Sequence, residues 1–435
     1  MTNFSMQTKA QPSLNVIIFF TIIYFIALGN HLTAQVTDFK PSGNLWGYVF
    51  GDYYFKAHSD TLGRAPAGSP YGSKSLNAKN QNQNDMNAFQ IRRAYIGYDY
   101  TLSSRFSAQA VLANEMNIDG NGYNTTYLKY AWLKCTNIFQ GSNLMIGQMP
   151  TSSFATPYGT EPLWGYRSVE KTLMDLHSLD PSTDMGIMLI GNVWQRKTNS
   201  DSLPATIGYS AMIANGTGAK PDVTRFKKMR GNIYLNTLHQ KLTFGVYGDY
   251  YTTQLSPYQI SNATLKGYMH FKTDWFRVGA EVFQQLNKNG DIYTTASTAK
   301  ADTANGMQLG WSVFLSGRLI KNKLNYYLRM DKYNPDTKYN INNIYLSSTA
   351  GGNMSTTTFY TQTFYLIGFD YTPVSRIHIM PNLWYTQYNT MMSSDPLTGK
   401  ELPGRARSDY DLVPRITFFF VFNNSPGMTN NGMDN

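Results

Sequence analysis

Acidic, basic and aromatic side chains that could act on a passing solute are gathered in one stretch, Gly147–Asp184. On both sides of this stretch apolar and polar residues alternate, and inside it the alternation stops. Long irregular segments are usually functional or disordered, and aromatic residues argue against disorder. The pattern over Val169–His177 favours a short helix, with Ser168 as its cap. The candidate functional residues of the stretch are Glu161, Trp164, Tyr166, Arg167, Glu170, Lys171 and Asp175.

Hydrolytic chemistry is one use for such residues. His58 with Asp60, and His177 with Asp175, are the candidate pairs for proton transfer. A hydrolytic site also needs a nucleophile beside the base, and no spacing in the chain brings the three together. We therefore expect no enzyme and no catalytic residue.

Metal and cofactor motifs are weak in this sequence. Asn117–Gly122 partly matches a calcium-binding loop, but Leu128 stands where that loop needs a bidentate Glu. A Gly- and Asn-rich loop tip is the simpler interpretation. The sequence therefore predicts no metal site and no cofactor. The single Cys135 cannot form an intrachain disulfide.

The N-terminus has the pattern of an export signal. Lys9 precedes the apolar run Leu14–Leu28, and the small residue Ala34 follows it. The run is shorter than the roughly 18 residues that a membrane-spanning helix needs. We expect a signal peptide over residues 1–34, a folded domain over 35–422 and a flexible polar tail over 423–435.

The composition indicates a sheet with one apolar and one polar face. Charged residues make up 15% of the chain, against about 25% in soluble domains, and aromatic residues 14%. From residue 45 onward, alternating runs of strand length recur sixteen times, an even number typical of outer-membrane barrels. The predicted strands are Leu45–Lys56, Phe89–Tyr100, Arg105–Glu115, Thr125–Cys135, Asn143–Met149, Met185–Gln195, Ala205–Asn215, Phe226–Leu238, Lys241–Thr252, Gln259–Lys272, Trp275–Leu286, Met307–Ile320, Lys323–Lys332, Phe359–Tyr371, Arg376–Tyr388 and Tyr410–Phe422.

The connections between these strands differ systematically in length. Those after even-numbered strands are mostly short, such as His239-Gln240, and those after odd-numbered strands are mostly long, such as Asn287–Gly306 and Tyr333–Thr358. Outer-membrane barrels have this asymmetry, with the long loops outside the cell. Gly147–Asp184 follows the fifth strand, so we expect it to fold inward as a constriction loop. The alternative is an extracellular loop that packs on a neighbouring subunit.

Charged residues alternate with apolar ones along the strands. A charge on the lipid face costs about 2–4 kcal/mol at mid-bilayer, so these side chains should point into the lumen. Sixteen strands leave an aqueous channel. The formal net charge is +10, but the chain contains no run of five or six basic residues. We therefore expect no nucleic-acid partner. The predicted pore-lining arginines are Arg93, Arg230, Arg277, Arg318, Arg329 and Arg415.

Two segments resemble the phosphate-selective porin O/P family. One is Phe89–Gly97 with the following short turn and Phe106, and the other runs from Ile146–Met149 through Pro157–Gly159 and Glu161 to Tyr166–Glu170. The resemblance implies a sixteen-stranded barrel, commonly trimeric, that passes small anions. The dense ladder of lysine or arginine expected of a phosphate channel is not visible here.

The sequence leaves three functions open. The first is passive diffusion of small hydrophilic solutes, leaning to anions such as phosphate, through a porin in the outer-membrane bilayer that assembles as a homotrimer. The second is an uptake barrel for oligosaccharides, with Tyr158, Trp164 and Tyr166 as a stacking surface. The third is an outer-membrane barrel enzyme.

Overall fold

The chain divides into two units, Met1–Pro41 and Ser42–Asn435. The computed structural model describes most of the second unit. The predicted signal peptide, the tail beyond Asn423 and the tip of the calcium-like loop lie outside the described residues. Within the described part, no helix is long and apolar enough to cross a membrane. The described residues are 39–65, 84–118, 124–155, 160–196, 205–254, 259–295, 298–348, 352–353, 359–392, 394, 399–404 and 408–423.

The second unit is a closed antiparallel β-barrel of sixteen strands. Each barrel strand pairs with the barrel strands before and after it in sequence, and the last pairs with the first, with Val49 opposite Phe420. The described residues contain eighteen strands, of which sixteen form the barrel. The strands are β1 Ser42–Phe55, β2 Asn87–Thr101, β3 Phe106–Ile118, β4 Asn124–Phe139, β5 Ser142–Pro150, β6 Thr183–Arg196, β7 Ala205–Ala214, β8 Lys228–Thr237, β9 Leu242–Gln254, β10 Ile260–Lys272, β11 Phe276–Thr295, β12 Thr298–Ile320, β13 Leu324–Asn334, β14 Asn343–Ser348, β15 Gly352–Asn353, β16 Tyr360–Val374, β17 Ile377–Thr390 and β18 Ser408–Phe422.

Two of these strands, β14 and β15, are additions to the barrel. They lie inside the long loop predicted over Tyr333–Thr358, and β13 pairs directly with β16. The sixteen predicted strands are confirmed as the barrel. The predicted loop Asn287–Gly306 is mostly strand, because β11 and β12 continue as a hairpin to the pair Thr295–Thr298.

The two faces of the barrel have opposite chemistry. On β8, Met229 and Ile233 are 50% and 63% exposed on the outer face, whereas Arg230 and Asn232 are buried on the inner face. The other strands repeat the pattern, with exposed Leu, Ile, Val and Phe alternating with buried polar residues. Charges therefore point inward, because the outer face is the lipid face and charge is expensive there.

The inner face also carries aromatic rings that lie across the neighbouring strand. A Cβ on Gly245 would come within 2.0 Å of the Tyr268 ring, which stands directly opposite it. Glycine at these positions therefore makes room for a ring against the barrel wall. The pairs of this kind are Trp46–Gly97, Tyr234–Gly208, Tyr268–Gly245, Phe314–Gly279, Phe283–Gly310 and Tyr327–Gly368.

Candidate pore constriction

The described part of the segment between β5 and β6 contains three short helices. These are α1 Ser152–Ala155, α2 Thr160–Trp164 and α3 Leu173–Leu176. The helix predicted over Val169–His177 is shorter than expected, and its cap position is Thr172. Ser168 is not the cap; its carbonyl instead accepts a hydrogen bond from Arg92.

Four arginines on other strands donate to backbone carbonyls of this segment. Arg92 on β2 reaches the Val169 carbonyl at 2.6 Å, and Arg329 on β13 reaches the Lys171 carbonyl at 2.6 Å. These strands lie well around the barrel from β5 and β6. The segment therefore crosses the lumen, and the inward-folded constriction loop is confirmed. The two longer contacts, both 3.4 Å, are Arg277 to the Leu163 carbonyl and Arg415 to the Val169 carbonyl.

Arg92 was not among the predicted pore-lining residues, and a β-bulge explains why. Phe50 on β1 stands opposite Arg93, but the next residue, Gly51, stands opposite Ile91. The bulge leaves Arg92 as the extra residue, so both arginines are buried on the inner face. Strict alternation would have put one of them outside. The consecutive pair Arg92-Arg93 was the available signal in the sequence.

A buried ion-pair network holds the C-terminal end of the loop. Arg230 lies 2.8 Å from Asp180 and 2.9 Å from Asp184, counted between guanidinium nitrogen and carboxylate oxygen. Lys228 lies 3.4 Å from Asp180 and also pairs with Asp249. The hydroxyl of Ser153, in α1, donates to Asp180 at 2.7 Å, which joins the two ends of the loop. Arg230 was predicted to line the pore, and its side chain is fully enclosed by these partners.

The loop also rests on an aromatic cluster. Trp164 packs against Phe314 with ring centroids 5.4 Å apart, and Tyr166 stacks on Tyr327 at 4.4 Å. Trp164 and Tyr166 are 1% and 0% exposed. The Trp164 indole N–H donates to the Glu170 carbonyl within the loop. Both aromatic residues therefore act as packing for the loop, and they present no face on which a sugar could stack.

Six charged side chains come together between the loop and strands β2 to β4. The Lys129 ammonium lies 2.7 Å from Glu115, and Arg93 lies 3.8 Å from the same carboxylate. In the loop, Arg167 lies 3.0 Å from Asp175, and Lys171 interacts with both acids. We call Arg93, Glu115, Lys129, Arg167, Lys171 and Asp175 the cationic cluster. Four positive and two negative groups give it a formal charge of +2.

Solvent reaches part of this cluster. The side chains of Arg167 and Glu115 are 17% and 16% exposed, whereas those of the wall arginines Arg230, Arg329 and Arg415 are almost fully covered. Burial lowers the pKa of Lys171, although Asp175 opposes the shift. Burial alone would raise the pKa of Asp175, but Lys171 and Arg167 outweigh it, so that pKa is lowered. Asp175 therefore stays ionised, and Lys171 loses its proton more easily than an exposed lysine.

Four other residues singled out from the sequence are Glu170, Arg318, Glu161 and Tyr158. Glu170 is buried, which raises its pKa, and its carboxylate accepts the Lys171 backbone N–H at 2.7 Å. Arg318 is half-buried near the end of β12, and its backbone N–H donates to the Trp275 carbonyl. The side chain of Glu161 and all of Tyr158 lie outside the described residues.

Two further predicted arginines are each matched by a carboxylate. Arg329 holds Asp331 through two hydrogen bonds of 2.9 and 2.7 Å, and Arg415 holds Asp52. All four of these side chains are almost fully buried. Their charges are therefore largely cancelled where they stand.

The histidine pairs considered for catalysis are not assembled. Asp60 pairs with Arg64 at 2.6 Å, while His58 contacts the Tyr410 carbonyl. His177 stacks on the Tyr333 ring, with centroids 3.5 Å apart, and Asp175 pairs with Arg167 as described above. Neither histidine shares a hydrogen bond with the acid proposed for it in the described ranges.

Two solved structures with a similar fold are a channel and a porin. The outer membrane channel DcaP of Acinetobacter baumannii matches with a TM-score of 0.55 at 13% identity, over 90% of this chain and 100% of that chain. An anion-selective porin from Comamonas acidovorans matches with a TM-score of 0.52 at 11% identity, over 88% and 100%. No protein-family model and no curated protein sequence matches the chain. The likeness establishes the fold, a closed sixteen-stranded antiparallel β-barrel, and the resemblance to phosphate-selective porins stays a prediction.

Proposed function

We propose that the protein is a porin for passive diffusion of small hydrophilic solutes with a preference for anions. The observation that carries the proposal is the cationic cluster, because it combines a formal charge of +2 with partial exposure beside the constriction loop. Charged rings at a constriction select ions of the opposite sign, and low-dielectric walls strengthen their field. Inorganic phosphate is one anion of suitable size and charge.

The preference should come from the cluster rather than from the whole set of wall arginines. Arg230, Arg329 and Arg415 each have a buried carboxylate within 3.0 Å, so their fields are largely cancelled. In the cluster, by contrast, Glu115 is shared between two cations and Asp175 between two more. Counted over these six side chains, the cationic cluster therefore carries more positive than negative charge.

Planar-bilayer recording tests the proposal. The purified wild type should form ohmic channels whose reversal potential in a KCl gradient has the sign of chloride preference. Arg167→Ala and Lys171→Ala should each reduce that preference. Lys227→Ala is a matched control, because Lys227 is an exposed loop lysine, with its side chain 43% exposed, that pairs with Asp222. Cation preference in the wild type, or equal effects of Lys171→Ala and Lys227→Ala, would contradict the anion preference.

Two further features of the mature protein belong to the same proposal. We propose export with cleavage after Ala34, supported by the apolar run that precedes it, and N-terminal sequencing of the mature protein should begin at Gln35. We also propose a homotrimer, supported by the resemblance to phosphate-selective porins, and light scattering in detergent should give three times the chain mass. A monomeric mass would remove the trimer and leave the channel proposal unaffected.

Oligosaccharide uptake is the other function considered from the sequence. Its support rested on aromatic stacking, and Trp164 and Tyr166 are covered by the barrel wall. No described residue in the loop favours this function over simple diffusion. Saturable block of the current by an oligosaccharide would restore it.

A further inference from the structure

A row of hydrogen-bond donors crosses three neighbouring strands near the short turn between β10 and β11. Lys272 on β10 stands directly opposite Arg277 on β11, and Arg277 stands directly opposite Ser316 on β12. Opposite residues in an antiparallel pair project their side chains to the same face, with Cβ atoms about 4.5–5.5 Å apart. Arg277 also reaches the Leu163 carbonyl of the constriction loop at 3.4 Å, so this face is the inner one.

His270 lies beside this row. It precedes Lys272 by two residues on β10, which puts both side chains on the same face of the strand. Arg277 and Lys272 both act electrostatically on His270, and Arg277 also acts on Lys272. Each of these three basic side chains is therefore within electrostatic range of the other two. The Phe314 ring borders the group, with its centroid 6.4 Å from that of His270.

No acid balances these basic groups in the described part of the chain. Neither Lys272 nor Arg277 lies within ion-pair distance of a carboxylate there, and no Asp or Glu acts electrostatically on either side chain. Asp274 lies two residues after Lys272, in the turn, and is exposed to solvent. Like charges directly opposite each other destabilise a sheet. A bound anion would remove this repulsion.

Several polar atoms of the group are buried and lack a partner. His270 and Ser316 are 2% and 0% exposed. Within the described ranges, the Nε2 atom of His270, the Oγ atom of Ser316 and the Nε atom of Arg277 have no hydrogen-bond partner. Buried polar atoms in proteins are nearly always paired. Lysine and arginine can only donate, and serine and histidine can donate as well, so the partner that suits all four is a negatively charged acceptor.

We propose that His270, Lys272, Arg277 and Ser316 form a binding site for a small inorganic oxyanion. An oxyanion offers several acceptor oxygens around one centre, and the planar arginine fork matches two of them. The site is separate from the cationic cluster, which lies between the constriction loop and strands β2 to β4. The short turns of such barrels face the periplasm, so an anion that has passed the loop meets this site next. The inference rests on the proposed porin function for the route by which the anion arrives.

Calorimetric titration of the full-length protein in detergent with sodium sulfate tests the site. Lys171→Ala serves as the parent, which weakens any contribution of the cationic cluster, and we expect it to bind sulfate. Adding Lys272→Met should weaken sulfate binding about tenfold or more, the effect of one lost charge-assisted hydrogen bond. Adding Ser316→Ala should weaken it by a smaller factor. Lys321→Met is the matched control, because Lys321 is an exposed lysine in the next short turn, and it should leave binding unchanged.

Thermal unfolding separates loss of the site from loss of the fold. Without sulfate, Lys272→Met should unfold at a higher temperature than its parent, because it removes the repulsion from Arg277. Sulfate stabilises folded proteins in general, so the informative quantity is the difference between variants. Excess sulfate should raise the Tm of the parent more than that of Lys272→Met. No binding heat in the parent, or parental sulfate affinity in Lys272→Met that migrates as a folded barrel in unheated gels, would refute the site.

Binding in detergent is measured independently of ion preference. A wild type that prefers cations in the reversal potential, but binds sulfate through Lys272, would refute the proposed anion preference and support the site. Chloride preference without sulfate binding would refute the site and leave the porin proposal standing.

Discussion

Replacing Arg230 with methionine should release the C-terminal end of the constriction loop. The guanidinium contacts Asp180 at 2.8 Å and Asp184 at 2.9 Å, and the Arg230 side chain is 0% exposed. Methionine has similar length and no charge. After the substitution Asp180 keeps Lys228, at 3.4 Å, and the hydroxyl of Ser153. One cation, Lys228, then faces three buried carboxylates, those of Asp180, Asp184 and Asp249, where two cations stood before.

The cost should be large because the pair is buried. Removing one partner of a buried ion pair costs about 3–5 kcal/mol, since the other charge is left uncompensated. Arg230→Met should therefore lower the free energy of unfolding by about that amount. Removing the partner as well should recover part of the loss, so Arg230→Met combined with Asp180→Asn should be less destabilised than the sum of the two single variants.

Urea unfolding of the refolded barrel, followed by tryptophan fluorescence, measures the stability, and single-channel recording measures the loop. We expect larger and noisier conductance in Arg230→Met, because the C-terminal end of the loop is no longer held by Arg230. Arg225→Met is the matched control, since Arg225 is an exposed arginine just before β8. Wild-type stability and conductance in Arg230→Met, or additive effects in the double variant, would refute this account of the loop.

Two other predictions test the barrel wall and the cluster. Gly245→Val should destabilise the barrel by about 1–3 kcal/mol, measured in urea, because the new side chain overlaps the Tyr268 ring. Gly267→Val is the control and should be tolerated, because no atom lies within 4 Å of its new Cβ. Raising the pH from about 7 to about 10 should weaken anion preference in the reversal potential, because Lys171 loses its proton below the ordinary pH for a lysine. The Lys171→Ala variant should lack this part of the pH dependence, and an identical profile in that variant would contradict the assignment.

The barrel follows from the sequence because its signal is repeated. Each strand, such as β8, alternates outward apolar residues with inward polar ones, and an error in one strand would not change the predicted fold class. The position of the constriction loop follows for the same reason, since Gly147–Asp184 interrupts a regular pattern. These features depend only on local periodicity and on the cost of charge in lipid.

The details of the constriction depend on contacts between distant residues. The bulge at Gly51 turns Arg92 inward, against the alternation that predicts every other side chain of its strand. The strand faces alone predict that Arg230 and Arg329 line the pore. Their charges are cancelled by Asp180 in the loop and by Asp331, two residues beyond Arg329. Lys129 belongs to the cationic cluster but was not predicted, because its strand has two poorly distinguished faces in the sequence.

The inner aromatic rings were also beyond the sequence pattern. Trp46 lies over Gly97 of the neighbouring strand, and this relation becomes visible only when the register is known. Trp164 likewise packs on Phe314, a residue far away in the chain. From the sequence alone, an aromatic residue in an irregular loop is equally compatible with ligand binding and with packing against the barrel wall. Only its burial in the structure distinguishes the two roles.

The reversal potential of Lys171→Glu in a KCl gradient tests the central claim most directly. The substitution changes the formal charge of the cationic cluster from +2 to zero while leaving the buried arginine pairs of the barrel wall intact. The wild type should prefer chloride, and the variant should lose that preference or favour potassium. An unchanged chloride preference in a folded, conducting Lys171→Glu channel would contradict the claim that this cluster sets the selectivity.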